Sequence, residues 1–428
     1  MMKRERIGAE DLLFYYAVSG NQTYISNTRI ELYEQVDVDA LAKALGLALK
    51  RHPKFRKTVV KEGNELYYEE VQQAPVVMTE DRQYKIGTNE TNRYLFVVIG
   101  TGSTIFVRAH HGVADGKGNL AFVTTLLYYY FTGLGHTIDP EDIVLTNEKP
   151  ADPTELEGTF EKYADPDAVP LKVYNFGEAY CIPEGVNDLS ISKCHDFKLT
   201  CSIKEILKVS KKYETSPVPL MAMLVSKAIR ETYDASGKTL IGLIPVNMRP
   251  YFKSNSVGNF SGSVPMPYDD KIAAKDPEVQ TTIMRTILDI QAQKTSYAKT
   301  MAEFCEMING IRVMPGDPAD KQRMVTAQMK ENSRKTSTYS LSYVGKTNIP
   351  EDMKKYIKDI YKYNPAYLLP VTINATEYNG ILILMISLGF EGQTLMNNLL
   401  NEFKQYDSGA QLTDLGFTSY DKFLLDEI

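Results

Sequence analysis

Apolar and polar positions along the chain repeat with two different periods, and the changes of period mark the predicted elements. β-Branched and aromatic residues crowd 23–36 (TYISNTRIELYEQV), the composition of a strand. Over 37–56 the spacing changes. Leu41, Ala44, Leu45, Ala48 and Leu49 recur every three or four residues, behind Asp37 or Asp39 as N-cap and ahead of Pro53 as the stop. His52 falls at that helix end, where a donor meets free terminal carbonyls, and is read as structural. Two apolar runs, 93–100 and 103–111, are joined by Gly-Thr-Gly, a hairpin pattern or a pair of neighbouring strands. Residues 118–135 are mostly apolar and closed by glycines, which predicts a buried helix.

From about 145 to 195 the pattern weakens into Pro, Asp and Glu, the composition of a connection between two units. Order returns with helices over 202–213 and 218–233 and a strand over 240–250 that ends at Pro250. A helical stretch runs from 278 to about 310. Strands follow at 336–345, 368–380 and 381–390, the last two a hairpin through Tyr-Asn-Gly, and then a helix over 392–406. With 428 residues and no tandem repeat, the chain is expected to form two α/β halves of mixed sheet and flanking helices, 1–165 and 166–428.

Composition narrows the classes. Hydrophobic residues at 43% and charged residues at 24% suffice for ordinary cores, and the net charge of −6 argues against a nucleic-acid partner. Cys181, Cys194, Cys201 and Cys305 form no C-x-x-C pair and no zinc spacing, so they are read as reduced thiols of a cytoplasmic protein. The first twenty residues contain no apolar run long enough for a signal peptide, and ILILMISLGF (381–390) is far short of a membrane span.

Candidate chemistry concentrates in HHGVADGKG (110–118), which holds two of the five histidines at the end of a predicted strand and just before a predicted helix. Adjacent strand residues point to opposite faces, so His110 and His111 do not converge on one metal ion, and no H-x-H or H-E-x-x-H adds ligands. As a phosphate loop the stretch fails on glycine spacing and on the lack of Ser or Thr after Lys117, which also occupies a ligand position of any calcium loop. Two readings stay open, a histidine packed at a turn or a catalytic base, the latter needing one imidazole facing a cavity, with Gly112 and Gly116 allowing the turn and the approach of a ligand.

The pattern H-H-x-x-x-D-G, filled by His110, His111, Asp115 and Gly116, resembles the signature of the CoA-dependent acyltransferase superfamily. That group includes chloramphenicol acetyltransferase, alcohol acetyltransferases, plant acyltransferases and the condensation domains of nonribosomal peptide synthetases. Further similarities run along the chain in order: the first helix ending in His-Pro-x-x-Arg (52–56), IPVNMRPYFKSNSVGNFSG (244–262), and the late strands YSLSYVG (339–345) and LMISLGF. Among the branches, the bacterial alcohol-acetyltransferase-like proteins are the most similar.

This resemblance implies two chloramphenicol-acetyltransferase-like halves in a V-shaped pseudo-dimer, with a tunnel between them. It implies His111 as general base, deprotonating an alcohol or amine that attacks an acyl thioester directly, with His110 structural. The absence of G-x-S-x-G or an obvious reactive cysteine fits that route. Asp115 is expected to pair with Arg249 of VNMRP, and Ser342 or Ser340 to donate to the oxyanion, although Tyr343 stands where the family commonly has Asn and the plant D-F-G-W-G is missing. Lys330, Arg334 and Lys335 are candidates for CoA phosphates or, alternatively, a solvated helix face. No bound cofactor is expected. Acyl-CoA, with acetyl-CoA the first choice, is the co-substrate implied, with an acyl or peptidyl carrier protein as the alternative donor and a non-catalytic interaction module of the same fold as the third reading.

Overall fold

A computed structural model describes residues 4–17, 24–172, 174–186, 193–366, 369–420 and 425–427. Its strands, in chain order, are β1 (Glu5–Arg6), β2 (Ile25–Leu32), β3 (Lys57–Glu62), β4 (Glu65–Glu70), β5 (Val77–Met78), β6 (Phe96–Thr101), β7 (Thr104–His110), β8 (Lys193–Ser202), β9 (Leu240–Asn247), β10 (Ser261–Tyr268), β11 (Tyr339–Lys346), β12 (Ile357–Tyr363), β13 (Val371–Tyr378), β14 (Ile381–Leu388) and β15 (Gln411–Ser419). They form a five-stranded sheet in the order β12-β2-β7-β6-β5, a seven-stranded sheet in the order β10-β9-β11-β13-β14-β8-β15, and a small sheet β1-β4-β3. Helices flank both larger sheets, so the chain is mixed α/β.

Local chemistry accounts for the elements that position the motif. Helix α1 (Ala9–Tyr16) precedes the first sheet and packs against the long helices Lys294–Val313 and Pro318–Thr336. Helix α2 (Val38–Arg51) starts where Asp37 accepts a hydrogen bond from the Ala40 amide, and it buries the predicted apolar stripe. Helix α3 (Gly116–Gly133) follows β7 after a five-residue turn, with Asp115 as its N-cap. The β13–β14 hairpin turns through Asn379 (φ 47°) and Gly380 (φ 79°), the two left-handed positions such a tight turn requires.

The core around the first sheet also draws on residues beyond 165. Met248, Phe260, Met301, Ile311, Ile357 and Ile360 are buried in the same apolar cluster as β2, β6, β7 and α2. Strand β12 pairs antiparallel with β2, so the first sheet is completed from the second half of the sequence. The weakly patterned connection ends close to where its composition indicates, as β8 begins at Lys193 and pairs with both β14 and β15. Residues 173 and 187–192 of that stretch lie outside the described residues. What is described packs back on the first half: Arg51 and Glu155 form a bidentate pair at 2.7 and 2.8 Å. His52 bonds through Nε2 to Thr125 Oγ1 at 2.9 Å, so its ring joins α2 to α3, while its backbone amide caps Ala48. Among the described residues no helix is long and apolar enough to cross a membrane.

One contact between the α3 turn and the 250s loop is close enough to depend on glycine. A Cβ added at Gly118 would lie 1.9 Å from the Val257 carbonyl oxygen, whereas one at Gly116 would meet nothing nearer than 3.6 Å. Gly118→Ala is therefore expected to cost about 2–3 kcal/mol in urea denaturation, and Gly116→Ala less than about 1 kcal/mol. Equal midpoints for the two variants would contradict this packing.

Candidate active site

Strand β7 delivers the two histidines, and its alternation separates them. His110 stacks on Tyr15 with ring centroids 4.6 Å apart and 7° between the planes. Its Nδ1 accepts from the Gly112 amide at 3.1 Å, which requires an unprotonated Nδ1. Burial, helped by the neighbouring His111, draws its pKa down to about 3. His111 lies on the other side of the strand end and stacks on Phe14 at 4.3 Å and 23°. Consecutive aromatic residues of α1 therefore grip the two consecutive histidines.

The backbone of His111 is pinned on both sides: its amide donates to the Tyr24 carbonyl at 2.6 Å, and its carbonyl accepts from Asn259 Nδ2 at 2.8 Å. The residue as a whole is half-buried, and its ring Nδ1 is buried with no hydrogen-bond partner among the described residues. Burial lowers the imidazole pKa, Lys362 lowers it further and Asp115 offsets part of the effect. The outcome is a neutral ring near neutral pH, able to accept a proton.

Asp115 does not touch that ring; its two oxygens are taken up by five donors. Oδ1 accepts from the Lys117 and Gly118 amides at 3.1 and 3.0 Å and from Arg249 Nη2 at 3.1 Å, and Oδ2 from Arg249 Nη1 at 2.7 Å and the Phe260 amide at 2.9 Å. Burial pushes the carboxyl pKa up, but Arg249 and the amides outweigh it and hold it below the usual aspartate value. Arg249 is saturated in turn, giving Nε to Ser256 O, Nη1 also to Asn247 Oδ1 and Nη2 also to Gly258 O, at 2.6, 3.1 and 2.7 Å. The arrangement ties the turn after β7 to the loop after β9.

Sequence reasoning assigned no role to several residues around this brace. Asn259 bridges the His111 carbonyl and Asp11 Oδ1, both at 2.8 Å. Asp11 pairs with Lys54 at 2.7 Å and accepts from Tyr68, whose hydroxyl also lies 2.9 Å from the Gly112 carbonyl. Beside it, Glu10 is buried, and burial together with Asp11 raises its pKa to about 8. Lys362 of β12 reaches the carbonyl of Gly116 at 3.5 Å. The Gly-Asn-Phe turn was a signal for Asn259; a lone lysine in a short strand offers none for Lys362.

Ser340 and Ser342 lie on β11, opposite Thr372 and Asn374 of β13, and neither hydroxyl bonds to His111. Val344, two residues beyond Ser342, would meet a Cβ placed on Gly116 at 3.8 Å, which puts this end of β11 beside the motif. Lys335 pairs with Glu331 on its own helix, at 2.7 Å and exposed, and the Arg334 carbonyl accepts from Cys181. Lys330 falls in the same helix, Pro318–Thr336, but its side chain lies outside the described residues. Tyr129 and Tyr130 bond to the amides of Asn147 and Asp37, so these two act in packing. Among the described residues no group of three or more His, Cys, Asp or Glu is placed to hold a metal ion.

No family model matches the sequence, and no curated protein matches it by sequence. Solved structures do resemble it in fold. Polyketide synthase associated protein 5 from Mycobacterium tuberculosis aligns with a TM-score of 0.61 at 14% identity, covering 94% of this chain and 97% of its own. TRI101 of F. graminearum complexed with ethyl coenzyme A aligns at 0.61 and 14%, covering 96% and 100%. The condensation domain from the monacolin K polyketide synthase MokA aligns at 0.60 and 12%, covering 95% and 98%. This chain has their fold.

The site makes a definite prediction for histidine titration followed by NMR. His52, whose pKa burial draws down to about 3, and His110 are expected to stay neutral down to pH 5, with His111 titrating below the usual imidazole value of about 6.5. A His111 midpoint above that value would contradict the burial and charge described.

Proposed function

We propose that the chain is an acyltransferase that moves an acyl group from acyl-CoA to an alcohol or amine, with His111 as general base. The observation that carries this reading is a neutral imidazole at a strand end, fixed by ring stacking and by its backbone, whose neighbouring carboxylate is fully occupied elsewhere. Asp115 therefore acts as a brace for the turn, and the base works without a carboxylate partner on its ring.

In the reaction the acceptor O–H or N–H gives its proton to His111 while its lone pair attacks the thioester carbon. A new C–O or C–N bond forms, the carbonyl becomes an oxyanion, and Ser342 or Ser340 donates to it. Collapse breaks the C–S bond, and the imidazolium returns the proton to the leaving thiolate, so free CoA and an ester or amide result. The chain regions 1–165 and 166–428 are read as the two halves between which donor and acceptor meet, with Lys330, Arg334 and Lys335 as candidates for the CoA phosphates and acetyl as the first acyl group to test. TRI101, of the same fold, is complexed with ethyl coenzyme A, which supports a CoA donor. The fold likeness to a condensation domain supports a second donor, a thioester on a carrier protein. A cytoplasmic setting accords with four free cysteines.

A free-thiol assay over acyl-CoAs and a panel of alcohols and amines tests this. Substituting His111→Ala is expected to lower turnover by about 10²–10⁴-fold, and the wild-type rate to fall in acid only below the usual imidazole pKa. Undiminished turnover in the variant would overturn the base assignment. Release of thiol only from carrier-bound thioesters would move the donor from CoA to a carrier protein.

A further inference from the structure

Strand β12 carries a lysine that the reaction above leaves unused. Lys362 is only 6% exposed. Its ammonium has three donors, yet among the described residues its one hydrogen bond runs to the Gly116 carbonyl at 3.5 Å. A Cβ on Gly116 would lie 3.6 Å from the same Nζ, so the ammonium rests against the first turn of α3. The strand register places it on the reacting side. Lys362 pairs with Thr28 and Thr28 with Val107, and residues 107, 109 and 111 alternate onto one face, so Lys362 shares that face with His111.

The charges around this ammonium do not balance. Asp115 is the carboxylate that acts on it, but both Asp115 oxygens are already committed, and the charge of Asp115 is matched by Arg249. The N-terminus of α3 adds partial positive charge at the same place. His111 contributes none while it is neutral. Glu10 and Asp11 lie behind the motif, in contact with Thr159, Lys54 and Asn259. Burial draws the Lys362 pKa to about 8, which leaves the group mostly charged at pH 7. A buried cation whose neighbouring carboxylate is already matched by another cation, set against a helix N-terminus, is destabilising, and an anion brought by a ligand relieves it.

We infer that Lys362 binds a carboxylate of the substrate, so that the molecule handled at His111 is acidic. This inference rests on the acyl-transfer reading for its chemistry. The carboxylate has two possible sources: an acidic acceptor, such as a hydroxy or amino acid, or an acyl group that ends in a carboxylate. In either case Lys362 sets specificity, and the proton transfer remains with His111.

The test compares acid and neutral analogues in the free-thiol assay, using wild type, Lys362→Met and Lys362→Gln. One arm sets 3-hydroxybutyrate against its methyl ester with acetyl-CoA. The other sets succinyl-CoA against butyryl-CoA with a neutral alcohol. Calorimetric titration of 3-hydroxybutyrate and succinate runs alongside on the same folded proteins. In wild type the acid is expected to be preferred in kcat/KM by about 10- to 100-fold in one arm, which identifies the source. Both variants are expected to lose at least about tenfold of that preference. No acid preference in either arm, or a preference that survives both substitutions, would overturn the inference. If no pair releases thiol, acyl-CoA is not the donor for these substrates and the calorimetry decides for Lys362. Carboxylate binding weakened about tenfold or more by both substitutions sustains the site, and absent or unchanged binding overturns it.

Discussion

A single buried ion pair connects the parts of this protein that are far apart in sequence. Asp115 and Arg249 are separated by 134 positions, and their bidentate contact joins the turn after β7 to the loop after β9. Each then recruits local backbone: Asp115 caps α3 and takes the Phe260 amide, while Arg249 gathers the carbonyls of Ser256 and Gly258. With all of their polar atoms engaged, the two charges avoid the large penalty of unpaired burial. The close approach of Gly118 to Val257 and the reach of Asn259 to His111 both depend on this junction.

The same pair bears on the proposal that His111 is a base, since the ring sits beside a carboxylate. An aspartate hydrogen-bonded to the imidazole would raise its pKa and favour the charged form. Here burial lowers the imidazole pKa most, Asp115 offsets only part of that because it acts without a bond to the ring, and Lys362 opposes Asp115. Phe14 and the Asn259 bond then hold the ring and its backbone in place. Geometry and protonation state are thus set by different neighbours, and Asp115 contributes mainly to the first.

Much of the fold was legible because most elements carry an undisturbed period. Helix α2 with its Asp37 cap, the β6–β7 hairpin and the turn through Asn379 and Gly380 each follow from local residues. What escaped was set by long-range pairing. Strand β12 (IKDIYKY) mixes polar and apolar residues on both sides and becomes a strand by pairing with β2. The helix Pro318–Thr336 is largely polar, with no continuous apolar stripe to announce it, and α1 is too short to show one. At the site, residues 110–116 and Arg249 stand out because they fall in compact, recognisable stretches. Asn259, Lys54, Asp11 and Lys362 are ordinary polar residues until the chain folds, and only the sheet register and the loop crossing bring them to the motif.

The account depends above all on the Asp115–Arg249 contact, and a double-mutant cycle measures it directly. Asp115→Ala, Arg249→Ala and the double variant would be compared with wild type by urea denaturation. The account predicts single losses of about 3–5 kcal/mol each, with the double variant losing little more than one of them, because removing both partners leaves no unpaired buried charge. Single losses below about 1 kcal/mol that simply add would contradict it, and the turn carrying His111 would then be held by something other than this pair.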